Sequence, residues 1–383
     1  MTDGLADTEH QRVFDKIWWQ NPERQNWSSS SWWFFLLFPE GEEGYGPRQL
    51  MFSLAACVGD DCRVNGRPAP GMDLDRPISG GVDRFNAATV GWAGDGETVH
   101  DQVVDQPAEA VLSREEQRIE AWAEGEDGTK RGSEIAAASD RQLGLEAHIV
   151  GEDAEAQFEA WGDLDSQMTA PEQGLDFDTP LGGVEVLAWR QMNFEGEFNL
   201  PDGRETLSGS CYFQRVCFDI PLFPWKWIWA IFPDGTSFSA MIPFVGPQLF
   251  RNGYKFFSSN SLERLTIPLR QTGFWHWGSG AGHVEFDRVT IEPLLHSGEH
   301  PDFEVRVETD DGDYVSFVAR TYGHARNWLE RTRLGGWAES HWSYNEYMFR
   351  MAGLDGRVDG KRIDDASMGT GFGTLEYSTG LGL

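Results

Sequence analysis

Three tryptophans alternate in Trp225-Lys-Trp-Ile-Trp229. On a strand, side chains alternate between faces, so Trp225, Trp227 and Trp229 point one way while Lys226 and Ile228 point the other. Facing into a barrel, the indoles form a flat, polarisable wall with spare N–H donors, suited to a large unsaturated ligand. The same indoles serve equally to fill a wide barrel core or to meet a second sheet. Phe274-Trp-His-Trp277 sets His276 between Trp275 and Trp277, ahead of a glycine-rich turn. An imidazole held there is a candidate proton donor or acceptor near neutral pH, and equally a packing residue. Upstream, Tyr212 and Gln214 share one face of a strand, and Phe213, Arg215 and Cys217 share the other, with Asp219 just beyond. A buried Arg215 needs an acidic partner, for which Asp219 and Glu185 are candidates.

Other chemistries find no footing. Cys57, Cys62, Cys211 and Cys217 lack C-x-x-C spacing, and no histidine lies near enough in sequence to complete a zinc module. Cys211 and Cys217 are read as buried thiols on one strand face. His283, His324 and His341 are further single histidines, and no H-x-H or H-E-x-x-H spacing suggests a metal. Nucleophile-elbow, phosphate-loop and dinucleotide glycine patterns are also missing, so no cofactor is expected.

The elements that must position these residues read as β. Aromatic residues 32–38 and then 48–55 flank a turn cluster. A second series of strand-like segments begins near Val184 and includes 184–194, 196–200, 205–218, 226–232, 237–244, 262–270, 283–291, 303–308, 314–319, 344–354 and 373–377. Asp-Gly steps at Gly203, Gly235, Gly312 and Gly356 supply the positive-φ residue of a tight hairpin. Residues 108–123 suit a helix by composition, and 118–124 suit a strand equally. One helix is expected at 324–332, and residues 1–30 look like an entry segment with little to bury. The class is all-β: two lipocalin-like antiparallel barrel or sandwich units, 1–180 and 181–383, with few short helices. An aromatic strand opens each half, which weakly supports the pairing.

The charge is extreme. The 383 residues hold 62 Asp and Glu against 31 Lys and Arg, a formal net of −31, and only five of the basic residues are lysines. At ordinary salt such a chain repels itself; at about 1 M the Debye length falls to about 3 Å and the carboxylates serve to hold water. This is the signature of a haloarchaeal type of cell, which balances salt outside with salt inside. No basic, aromatic-interleaved stretch suits nucleic acid. The polar, acidic amino terminus is unlike a signal peptide, and the apolar runs are too short to span a bilayer, so a soluble cytosolic protein is expected, with at most transient contact at a membrane surface.

Across these segments the chain resembles the carotenoid 1,2-hydratase and AttH-like superfamily, whose members carry two lipocalin-like β units. The resemblance rests on Trp32-Trp-Phe-Phe35, on the segment from Gly203 to Tyr212, on Trp225-Lys-Trp-Ile-Trp229 with its Asp-Gly hairpin, and on Gly371-Phe-Gly-Thr-Leu-Glu-Tyr377. It implies a large apolar ligand of isoprenoid or carotenoid type, contacted by Tyr212, Gln214, Arg215, Trp225, Trp227, Trp229, Trp275 and Trp277. It further implies protonation of a C=C bond by a raised-pKa acid, followed by capture with water or by cyclisation. The family's Asp-His pair falls on Gln214-Arg215 here, and its Tyr-Asp strand on Ser239-Ala-Met241. His276 or Asp219 would then supply the proton, or the protein carries its ligand unchanged.

Overall fold

A computed structural model describes residues 11–18, 29–57, 61–69, 82–124, 128–139, 143–162, 172–179, 182–251, 255–257, 260–278, 280, 282–295, 300–333 and 338–381. The chain is all-β, as its alternating apolar segments predict. In Gly144–Val150, for instance, Leu145, Ala147 and Ile149 are buried while Glu146 is exposed.

Ten antiparallel strands of the first sheet close on themselves. The path starts at Ser30–Gly41, passes through Gln49–Cys57, Val82–Gly94 and Val99–Ser113, and runs on to Glu155–Trp161. That strand pairs with Gly182–Leu200, which pairs with Gly203–Phe218, and the latter returns to Ser30–Gly41. Closure depends on Gly196 opposite Phe158, where a Cβ would fall 2.3 Å from the Gln157 carbonyl oxygen. The interior is filled by Trp33, Phe35, Phe52, Phe158, Phe198, Phe213 and their neighbours. The amino-terminal segment joins this core: Phe14, Ile17 and Trp18 are buried in it, which corrects the expectation that residues 1–30 bury little.

The second sheet runs in the order His283–Phe286, Thr272–His276, Ser237–Val245, Trp225–Ile231, Phe372–Tyr377, Ala338–Val358, Tyr314–Arg333, Asp302–Glu308 and Arg288–Leu294. Its own core gathers Ile228, Phe238, Trp275, Phe303, Phe317, Phe349 and Leu375. Residue 180 was the expected division between units. The strands that follow it, Gly182–Leu200 and Gly203–Phe218, belong to the first sheet, and the chain passes to the second sheet only after Phe218. A hairpin of Asp61–Val64 and Arg67–Ala69 crosses the other way, adding to the edge of Tyr314–Arg333.

Several local expectations change. Residues 324–332 are not a helix but part of the strand Tyr314–Arg333, and 108–123 take the strand alternative, ending Val99–Ser113 and continuing in Arg118–Glu124. Residues 262–270 form a short helix, Asn260–Arg264, and a two-residue bridge, Ile267–Pro268, instead of a strand. Turns do occur at Asp202-Gly203, Asp234-Gly235 and Asp311-Gly312. Asp355-Gly356, however, stays inside Ala338–Val358, where Gly353 takes φ +65°. The hairpin falls at Asp359-Gly360, with φ of 52° and 73°, the pair of positive values that a two-residue turn of matching twist requires.

Candidate functional site between the sheets

A third apolar layer separates the two cores. It joins Phe34, Leu36, Met51, Trp92 and Tyr212 of the first sheet to Trp225, Trp227, Trp229, Trp342 and Met348 of the second. The alternation of the indoles is as expected, but the face is not. Ile228 and Ala230 point into the second sheet's core, so the indoles line the layer between sheets and not the inside of a barrel.

Register builds the chemistry of this layer. Glu376 lies directly opposite Trp227 on one side and Glu346 on the other. Two carboxyls thus face each other on neighbouring antiparallel strands, where side chains sit about 5 Å apart. Glu346 is fully buried and Glu376 is 3% exposed. Each takes an indole N–H: Trp92 reaches across from the first sheet to Glu346, and Trp225 donates to Glu376. Tyr344 lies next to Glu376, and burial together with that carboxyl holds its phenol well above the usual range. Burial pushes Glu346 up to about 8, with the Trp92 bond opposing it only in part. Burial, then the neighbouring Glu346, hold Glu376 well above the carboxylate range. Two desolvated carboxyls so close cannot both ionise, so the pair keeps at least one proton at neutral pH.

A cavity of about 100 Å³ opens beside Tyr344. Trp32, Phe34, Trp342 and Tyr344 form its aromatic walls, and Ala55, Ala56, Ala87 and Ala88 leave it room. Trp32 stacks on Trp225 at 5.9 Å and on Phe218 at 5.5 Å, and Trp225 meets Trp342 at 4.7 Å. The indole that bonds the acid therefore backs the wall, packed behind Trp32 and Trp342. A smaller cavity of about 50 Å³ lies on the other side of Phe34, lined by Arg190, Tyr212, Gln214, Trp227, Arg270 and Phe274 among others. Phe34 touches both Tyr212 and Trp227 edge-on, at 6.4 and 6.0 Å. Replacing Ala88 by leucine, which grows into the larger cavity, is expected to weaken binding of an apolar ligand by about tenfold or more while changing stability little. Titration of tryptophan emission against denaturant unfolding checks this.

The residues singled out from sequence fall in several places. Tyr212, Gln214 and Trp227 line the smaller cavity. Trp225 holds Glu376, while Trp229 is fully buried and donates to the Arg190 carbonyl at 2.9 Å. Arg215 is on the opposite face from Tyr212, stacked 3.9 Å over Trp33 and donating to the Ile17 carbonyl at 3.2 Å, so it secures the amino-terminal segment and touches neither cavity. Asp219 accepts from the Ser29 hydroxyl at 2.6 Å and lines neither cavity. Trp275 packs with Phe232 and Phe238 in the second sheet's core, and Trp277 packs against that core beneath Lys361. His276 is buried beside Phe274 and His283. Burial, with Arg190 and His283 adding to it, lowers His276 to about 3. It is neutral at pH 7 and has no imidazolium proton to give. Cys211 is a buried free thiol and Cys217 a half-buried one, while the side chain of Cys57 lies outside the described residues.

Glu346, Glu376 and Tyr344 are the groups that sequence reasoning passed over as chemistry. No local signal marked the glutamates: Glu346 lies in a strand that also carries Ser343, Asn345 and Arg350, and only pairing across the sheet brings it to Glu376. Among the described residues no group of three or more His, Cys, Asp or Glu is placed to hold a metal ion. No helix among them is long and apolar enough to cross a membrane.

A closed antiparallel barrel joined to a second antiparallel sheet, with an acid-bearing aromatic layer between them, defines the class of architecture. Neither a family model nor a curated protein matches the chain. Among solved structures, CghA is similar over 92% of this chain and 88% of its own at 11% identity, with a TM-score of 0.51, and of 0.50 when solved with Sch210972. A protein of Nitrosomonas europaea described as AttH is similar over 92% of both chains at 12% identity and a TM-score of 0.49. Kievitone hydratase from Nectria haematococca follows at 13% identity and 0.44, covering 94% of this chain and 92% of its own. At such identities the likeness is one of fold, and CghA carries it.

Proposed function

We propose that the protein binds the end group of a large apolar ligand of isoprenoid or carotenoid type in the layer between its sheets and protonates a C=C bond in it. The observation that carries this reading is the buried, facing pair Glu346 and Glu376, whose carboxyls burial pushes toward the protonated form, next to Tyr344 in the wall of an aromatic cavity. Tyr344 gives its hydroxyl proton to the alkene carbon and takes one from Glu376. The Glu376 carboxylate left behind keeps the Trp225 N–H. The carbocation lies against the faces of Trp32 and Trp342, which stabilise positive charge. Water then adds, or the ligand's own double bond closes on the cation, and the proton released returns through Tyr344 to Glu376. CghA, of the same fold, was solved with Sch210972, which supports ligand binding by this architecture.

A second reading, a carrier that leaves its ligand unchanged, draws on one observation: none of the described residues lining the larger cavity bears a carboxylate. One experiment separates the two. The protein, purified at ~1 M KCl, is incubated in D₂O with acyclic polyenes and prenyl lipids and the extract is analysed by mass spectrometry. Carbon-bound deuterium, with or without the mass of added water, marks the enzyme. Retained but undeuterated ligand marks the carrier, and neither product nor retained ligand removes both readings. The acid-rich, lysine-poor surface suits a high-salt cytosol and gives no purchase to nucleic acid.

A further inference from the structure

Charge is not spread evenly over this acidic chain. From Gly235 to Val284 the sequence contains one acidic residue, Glu263, against Arg251, Lys255, Arg264 and Arg270. Glu263 is turned fully inward, paired with Arg251 and accepting from the Tyr377 hydroxyl at 2.8 Å and the Phe257 N–H at 2.6 Å. Its charge is therefore consumed inside, and the same bonds fix the segment around it.

The outer side of that segment is apolar. Phe250, Leu262, Leu265, Ile267 and Leu269 are between 43% and 86% exposed. They make up five of the six most exposed large apolar side chains among the described residues; the sixth, Trp122, stands alone on the first sheet. Lys255 and Arg270 are exposed among them, and Arg264 pairs with Glu292 at the rim. A cluster of this kind marks a contact surface. It also adjoins the cleft: Ile267–Pro268 pairs with Phe244 and Val245, the Leu269 N–H donates to Pro243 at 2.8 Å, and Pro243, Arg270 and Thr272 line the smaller cavity.

We infer that this face docks on an anionic lipid surface and that the apolar ligand passes from there into the cleft. The first half stands by itself; the second rests on the proposed ligand site. Near 1 M salt the Debye length is about 3 Å, so the distant acids are screened and only charges at the contact count. There the protein presents apolar side chains and cations, which match acyl chains and phosphate headgroups.

Flotation with vesicles of phosphatidylcholine containing roughly 30% phosphatidylglycerol tests the docking, at ~0.1 M and ~1 M KCl. The wild type is expected to float, and the double variant Phe250→Ser, Ile267→Ser to lose partitioning by about tenfold or more. Trp122→Ser should float as the wild type does. Both variants should bind ligand delivered in detergent, with the double variant slow only when the ligand comes from vesicles. A wild type left in the soluble fraction, or a double variant that floats normally, overturns the proposal. A patch that instead holds two copies together, seen as a dimer that Phe250→Ser, Ile267→Ser dissociates with no vesicle binding, overturns it too. Failure of the cleft reading looks different: vesicle binding persists while no ligand binds by either route.

Discussion

Glu346→Gln is expected to stabilise the protein by roughly 3 kcal/mol at pH 7, because the wild type must keep protonated a carboxyl that the unfolded chain ionises. The glutamate is moved from its ordinary 4.5 to about 8 by burial. The sign follows from linkage: a raised carboxyl contributes stability that is fully present below about pH 4.5 and is lost as pH rises through about 8. Wild-type unfolding free energy should therefore fall by about 1.4 kcal/mol per pH unit across that window, and the variant should be flatter. The amide carbonyl still accepts from Trp92, so the cross-sheet bond survives. Denaturant unfolding at pH 5 and pH 8 measures both slopes; parallel curves for the two proteins would remove the protonated-acid account. Because Glu376 is coupled to Glu346, the wild-type loss should spread over two steps.

Glu376→Gln has the opposite character, leaving structure and binding in place while stopping turnover. Loss of a positioned proton donor costs about 10²–10⁴-fold in rate, and affinity read by tryptophan quenching should stay within about threefold, since the amide keeps the Trp225 contact. Tyr344→Phe should lose turnover to a similar degree, because the cavity reaches the acid through that hydroxyl. Wild-type rate should decline on the alkaline side, as the acid that must be protonated is lost. A Glu376→Gln protein that turns over normally would move the proton donor elsewhere.

Much of the fold was legible because its signals are local. The turns at Gly203, Gly235 and Gly312 follow from positive φ, which the structure assigns to all three. Gly356 carries the same Asp-Gly signal but no positive φ; a bulge at Gly353 keeps the strand going, and tertiary pairing decided that. Residues 324–332 look helical because Ala325, Trp328 and Leu329 fall at helical spacing. Residues 326–330 are half-buried on both faces, so apolar alternation is weak there, and pairing with Ala338–Val358 decides for the strand. The indole face in Trp225–Ile231 was legible as a face, yet alternation cannot say which side meets the other sheet. The acids were hidden for another reason. Among 62 carboxylates nothing local separates Glu346 and Glu376 from surface charge; only the register of three strands brings them together.

The small hairpin of Asp61–Val64 and Arg67–Ala69 fixes how the chain can be assembled. It is built from the first fifth of the sequence, yet its partner strand is Tyr314–Arg333, joined by Leu329 opposite Val64 and clamped by Asn65, which bonds both Trp328 and Asn327. Val64 and Ala69 also help line the larger cavity. During synthesis that edge waits through some 250 residues of chain for its mate, a long-range pairing of the kind that slows folding. The two sheets are consequently not interchangeable cassettes. A fragment beginning after Phe218 would leave the edge of Tyr314–Arg333 bare and prone to associate with other strands, and supplying residues 1–218 as a separate chain should be what restores its solubility.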